Sequence, residues 1–152
     1  MPERKLPPPR ESYTLLIERR LDWSELDSLG HANNARYFTW FEEARMAYFQ
    51  RVGIPTSSHL GWGPILAHTD CHFLAPVTWP SVLSLGAKVT KLGNSSLTMQ
   101  YAVYDESHHI ERESKSRCVA HGSGVIVLVD YERNEKRVIN NEIRAAIRAL
   151  DQ

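Results

Sequence analysis

The chain has 152 residues, with 18 basic and 18 acidic side chains cancelling to zero formal charge, and 42% of its residues are apolar. That length suits one domain burying roughly 70% of its unfolded surface, which excludes a chain disordered throughout. The charge balance speaks against a nucleic-acid binder, no apolar run approaches the roughly 20 residues of a membrane helix, and the cysteines Cys71 and Cys118 are too few for a disulfide scaffold. The start carries no secretory leader, so a cytoplasmic protein with reduced thiols is expected.

Residues 1–12 hold Pro2, Pro7, Pro8 and Pro9 among charged neighbours and read as a disordered lead-in to one domain over 13–150. Tyr13, Leu15 and Ile17 alternate with Thr14, Leu16 and Glu18, a strand pattern. A loop rich in Asp, Ser, Gly and Asn runs from Asp22 to Asn34. Tyr37, Phe41, Ala44, Tyr48 and Val52 then recur at three- and four-residue steps, widened by Phe38, Trp40 and Phe49. This predicts a long helix, largely buried against a sheet. Asn33 or Asn34 can cap its start, and Gly53 with Pro55 ends it.

Beyond Gly61, Gly63 and Pro64 the period becomes two. Ile65, Ala67, Thr69, Cys71 and Phe73 form one face, opposite Leu66, His68, Asp70, His72 and Leu74. Pro76 and Pro80 separate this strand from the next, marked by Leu83, Leu85, Ala87 and Val89. Gly93-Asn94 is a hairpin signal before Leu97, Met99, Tyr101 and Val103. A second turn over Asp105–Ile110 leads to a last strand from Cys118 to Val129. Its run from Val125 to Val129 suits a central strand buried on both faces. Ile143, Ile147 and Leu150 predict a terminal helix around Asn140 to Leu150.

The order is strand, long helix, four strands in meander and a small helix. One aromatic helix on a curved antiparallel sheet is an α+β arrangement. The open edges of such a sheet can pair in a homodimer.

The densest cluster of chemically capable groups is Glu25-Leu26-Asp27-Ser28-Leu29-Gly30-His31-Ala32-Asn33-Asn34, directly before the long helix. Free N–H groups and the positive dipole end suit a carbonyl oxygen acquiring negative charge there. Asp27 can act as a general base on water or as a nucleophile. Gly30 lets backbone and ligand approach closely, and His31 can donate to the reacting carbonyl or fix the loop. Equally, these are ordinary turn and capping residues, and Asp27 can serve only to satisfy backbone donors.

The stretch Asp27-Ser28-Leu29-Gly30-His31-Ala32-Asn33-Asn34, followed by Tyr37 and Phe41-Glu42-Glu43-Ala44-Arg45, resembles the hotdog-fold thioesterases of the 4-hydroxybenzoyl-CoA thioesterase type. Phe73-Leu74-Ala75-Pro76, Lys91-Leu92-Gly93-Asn94-Ser95-Ser96-Leu97 and Val127-Leu128-Val129-Asp130 extend the resemblance, in order, from about residue 13 to about residue 148. It implies a hotdog fold, with about five antiparallel strands wrapped around the central helix. It further implies homodimers or homotetramers acting on acyl-CoA or acyl-carrier-protein thioesters in lipid metabolism, with coenzyme A as part of the substrate and no separate cofactor.

Carried over by residue, Asp27 takes the catalytic acidic position, with His31 and Asn34 beside it. Backbone N–H groups between His31 and Tyr37 take the oxyanion role. Gly30, Tyr37, Ser95 and Ser96 become substrate-binding, the two serines by donating to a phosphate. Glu25 matches an outer acidic position, while Glu43 and Arg45 suit a structural pairing or dimer contact.

Metal binding is not expected. His68 and His72 lie about 13 Å apart on one strand face, too far to share an ion. His108 and His109 share a turn, and His59 and His121 are isolated. Cys71 is a rival nucleophile, although no neighbour in sequence activates it. Lys88, Lys91, Arg112, Lys115 and Arg117 can meet nucleotide phosphates or simply face solvent. Two alternatives to a hydrolase remain, a hotdog enoyl-thioester hydratase and a non-catalytic acyl-thioester binding protein.

Overall fold

The computed structural model describes residues 6–107 and 116–151. His108, His109, Arg112 and Lys115, and the end of the second expected turn, lie outside them. Within the lead-in, Arg10–Ser12 form a single 3-10 turn, and the Tyr104 hydroxyl donates to the Pro8 carbonyl at 2.5 Å.

Strand β1 (Leu15–Arg20) leads through the loop into helix α1 (Asn34–Val52). Asn33 caps the helix, its side-chain oxygen accepting from the Ala35 N–H at 2.9 Å. Gly53 closes it in the left-handed conformation, at φ +84°. Tyr37, Trp40, Phe41, Ala44, Tyr48, Phe49 and Val52 are all buried, more than one narrow stripe of the helix. A sheet must therefore curl around it.

The sheet comprises β2 (Trp62–Phe73), β3 (Val82–Leu92), β4 (Ser96–Asp105) and β5 (Arg117–Asp130) together with β1, and a two-residue β6 (Glu135–Lys136) pairs with β5. Helix α2 (Asn141–Asp151) ends the chain and buries Ile143 and Ile147. The strand order is β1-β3-β4-β5-β2, antiparallel throughout. This corrects the four-strand meander: β3, β4 and β5 follow one another, but β2 lies beside β5 at the far edge. Residues 74–81 carry the chain across the helix start, where the Ala32 N–H donates to the Val77 carbonyl at 2.8 Å and His31 bridges Thr78.

Two further expectations change. In β2 the register shifts between Leu66 and His68, so the alternation flips at Ala67. Leu66 thus falls on the face of Thr69 and Cys71, and Ile65 on the face of His68, Asp70 and His72. In β5, Ile126 and Leu128 are buried in the core, but Val125 and Val127 on the opposite face are only half-covered. One face of the sheet holds the core, and the other is partly open.

Candidate functional site

The loop before α1 is a tight antiparallel reversal. Leu26 bridges Ala32, and the Asp27 N–H donates to the His31 carbonyl at 2.7 Å. Gly30 turns the corner at φ +78°, a conformation a β-carbon would disfavour. Asp27 folds its side chain back over this turn. Its Oδ1 accepts from the Leu29 N–H at 2.8 Å and the His31 N–H at 3.2 Å. Among the described residues, no donor reaches Oδ2. One oxygen anchors the loop and the other is unengaged.

Glu25 anchors the loop from beneath. It is 4% exposed and accepts from the Asp22 N–H at 2.9 Å, from the Trp40 indole N–H at 3.0 Å and from the Arg19 guanidinium. Burial pushes its carboxyl upward, but the Asp22 N–H, the Trp40 indole and Arg19 outweigh this and hold it below the usual carboxylate range. Arg19 also pairs with Glu43. Arg45 is buried beside the Tyr101 hydroxyl at 3.3 Å. Glu25, Arg19, Glu43 and Arg45 join elements together and do not line the cavity described below.

The amides between His31 and Tyr37 can be assigned one at a time. The His31 N–H goes to Asp27, Ala32 to Val77, and Asn33 to the Glu25 carbonyl at 2.8 Å. The Ala35 N–H goes to the Asn33 side chain and Arg36 to the Asn33 carbonyl. Tyr37, fourth in the helix, is the first that can donate to the cap residue in the regular α-helical pattern. Of these amides, that of Asn34 has no acceptor among the described residues, and it sits at the positive end of α1.

A cavity of about 350 Å³ opens here, lined by Asp27, His31, Ala32, Asn34, Tyr37, Phe73, Leu74, Ala75 and Pro76. The expected residues Asp27, His31, Asn34 and Tyr37 are thus brought together. The Tyr37 ring packs against Trp40 at 4.6 Å and edge-on against Phe73 at 5.0 Å. Gly30 belongs to the loop but not to the cavity wall. Ser95 lies in the β3–β4 connection, where its carbonyl accepts from the Leu128 N–H, and Ser96 opens β4; neither lines the cavity. The wall from Leu74 to Pro76 was visible only as part of the Phe73-Leu74-Ala75-Pro76 motif, since its approach to the helix start depends on the crossing of residues 74–81.

The other candidates sort by environment. Cys71 is half-buried and its thiol is pushed up to about 12 by burial, with the Asp70 charge adding, so it is poorly suited to attack. Asp70 is occupied by the Ser123 N–H and hydroxyl and by His68. His72 stacks on His121 across the strands, ring centres 5.0 Å apart. Lys88 donates to Ser12, away from the cavity. Among the described residues, no three His, Cys, Asp or Glu side chains group to hold a metal ion. Among them, too, no helix is long and apolar enough to cross a membrane.

Comparison with known proteins agrees with this architecture. The PA5185 protein of Pseudomonas aeruginosa PAO1 superposes with a TM-score of 0.82 at 28% identity, covering 96% of this chain and 98% of that one. A thioesterase of Thermus thermophilus, solved with coenzyme A and Zn, gives a TM-score of 0.76 at 28% identity, covering 93% and 96%. The uncharacterized protein YsmA of Bacillus subtilis is 30% identical over 92 residues, 60% of this chain and 62% of that protein. The sequence pattern of the thioesterase-like superfamily matches residues 21–147. With its hotdog fold and that match across most of its length, the chain belongs to the thioesterase-like superfamily.

Proposed function

We propose that the protein hydrolyses acyl-CoA thioesters at the cavity between the Asp27 loop and the start of α1. The observation that carries this is the pairing, in one cavity, of a carboxylate with one untethered oxygen and the unclaimed Asn34 amide of the helix start. The thioester carbonyl oxygen accepts from the Asn34 N–H, which meets the charge that grows there during attack. Asp27 Oδ2 takes a proton from water as the water oxygen bonds to the carbonyl carbon. The tetrahedral intermediate then collapses, breaking the carbon–sulfur bond, and the proton held by Asp27 passes to the leaving sulfur. Products are a free acid and a thiol. His31, whose ring has no hydrogen-bond partner among the described residues, lines the same cavity and donates to the carbonyl or to the attacking water.

Coenzyme A as the thiol carrier is supported by its presence in the related Thermus thermophilus thioesterase. A homodimer is supported by the open edge of β2, where Ile65, Leu66, Phe73 and Leu74 are each more than two-fifths exposed. Hydratase chemistry is less well supported. The acids of α1, Glu42 and Glu43, are engaged with Arg45 and Arg19 and do not line the cavity.

Thiol release from a panel of acyl-CoAs tests the reading, and saturable hydrolysis of at least one is expected. Tight binding without turnover would instead identify an acyl-thioester binding protein. Water addition to an enoyl-CoA would identify a hydratase. Sedimentation of the pure protein is expected to give a mass of two or four chains, and a monomer would contradict the proposed pairing.

A further inference from the structure

Tyr37 is 3% exposed, yet among the described residues its hydroxyl has no hydrogen-bond partner. The sealed, unpartnered polar atoms there are Tyr13 Oη, Arg19 Nε and Ser116 Oγ. Tyr37 Oη is not one of them, so it keeps some contact with open space, and Tyr37 is among the residues that line the Asp27 cavity. Packing against Trp40 and Phe73 fixes the ring, so the hydroxyl cannot swing out to solvent. Asp27, His31 and Asn34 serve the reacting carbonyl. The remaining lining, Ala32 and Phe73 to Pro76, offers mainly apolar side chains. Tyr37 is the one residue of this lining that carries a hydroxyl.

An unpartnered buried hydroxyl is hydrated while the cavity is empty. A hydrocarbon chain that displaces that water leaves the hydroxyl unpaired, whereas an oxygen placed opposite it restores the bond. We propose that Tyr37 is a specificity-determining residue: its hydroxyl donates to an oxygen on the acyl group, so that thioesters of oxygen-bearing acyl groups are selected over plain hydrocarbon ones. This rests on the thioesterase reading above. Burial, with Cys71 and Asp105 adding, pushes the phenol up to about 12, so it stays a donor at neutral pH.

The test compares kcat/KM for butyryl-CoA against 3-hydroxybutyryl-CoA, and for phenylacetyl-CoA against 4-hydroxyphenylacetyl-CoA, in wild type and Tyr37→Phe. Wild type is expected to favour the oxygenated member of at least one pair by about 10- to 100-fold. Tyr37→Phe, which keeps the ring packing, is expected to reduce that ratio to about threefold or less, partly by improving the hydrocarbon substrate. No preference in wild type overturns the proposal. So does an equal loss on both members of a pair, which would place the hydroxyl on the carbonyl common to all substrates. If wild type hydrolyses no thioester, the thioesterase reading fails, and the contact is read by calorimetry with the matching free acids. Tighter binding of the hydroxy acid that disappears in Tyr37→Phe supports it, and equal affinities contradict it.

Discussion

The indole N–H of Trp40 donates to the carboxylate of Glu25 at 3.0 Å, and both residues are buried. Through this bond the floor of the Asp27 loop is attached to the second turn of α1. The loop is thereby tied to the same helix that begins with the Asn34 amide. The Arg19 guanidinium and the Asp22 N–H complete the environment of the same carboxylate.

Removing that carboxylate is expected to cost more than one surface contact. Glu25→Ala leaves the Trp40 indole and Arg19 without their acceptor, and a loss of about 3 kcal/mol in urea unfolding is predicted. The pH dependence follows from the depressed carboxyl. Its stabilisation is present above the unfolded value near 4.3 and disappears as pH falls through the lower folded value. Wild type should therefore lose stability below about pH 4 more steeply than Glu25→Gln, a difference readable in denaturation midpoints.

The Asn34 amide can be deleted without breaking the helix. Proline is well accepted at the first helical position, where the N–H has no intrahelical partner. The preceding Asn33 already has the extended conformation that proline requires of its neighbour, at ψ 135°. Asn34→Pro is predicted to unfold within about 1 kcal/mol of wild type while kcat falls by about 10²- to 10³-fold. Asn34→Ala, which keeps the amide and removes only the side chain, serves as the control. If the two variants hydrolyse thioesters equally well, the oxyanion assignment is wrong.

The His72–His121 stack predicts a second pH effect. Burial, and then the neighbouring His72, hold His121 below the ordinary histidine range, with Asp70 opposing. Below about pH 6.5 the unfolded chain takes up this proton and the folded chain resists it, so stability falls until the folded value is passed. Urea midpoints at pH 7.5 and 5.5 are expected to differ less in His121→Gln than in wild type. An unchanged difference would show that the imidazole is not the group responsible.

How much of this was legible in the sequence depends on the range of the interaction. The limits of α1 were readable because Asn33 and Gly53 act on their own neighbours. The Asp27 loop was readable because its turn residues and its carboxylate lie within ten positions. The placement of β2 beside β5 was not, since alternation records which side chains share a face and says nothing about the partner strand. The bulge at Ala67 hides in an apolar run with no glycine to mark it. The unclaimed amide of Asn34 emerges only when the Val77 and Glu25 carbonyls are in place to consume its neighbours. The buried donor of Tyr37 likewise depends on ring contacts with Trp40, three residues away, and with Phe73, far along the chain.

Asp27 is the centre of this account, and one comparison tests it most directly. Thiol release from the best acyl-CoA substrate is measured for wild type and Asp27→Asn, with both shown by circular dichroism to be folded. The amide keeps an oxygen to accept from the Leu29 and His31 N–H groups but cannot take a proton from water or attack well. A fall in kcat of about 10²- to 10⁴-fold is predicted. Turnover by Asp27→Asn at the wild-type rate would contradict it.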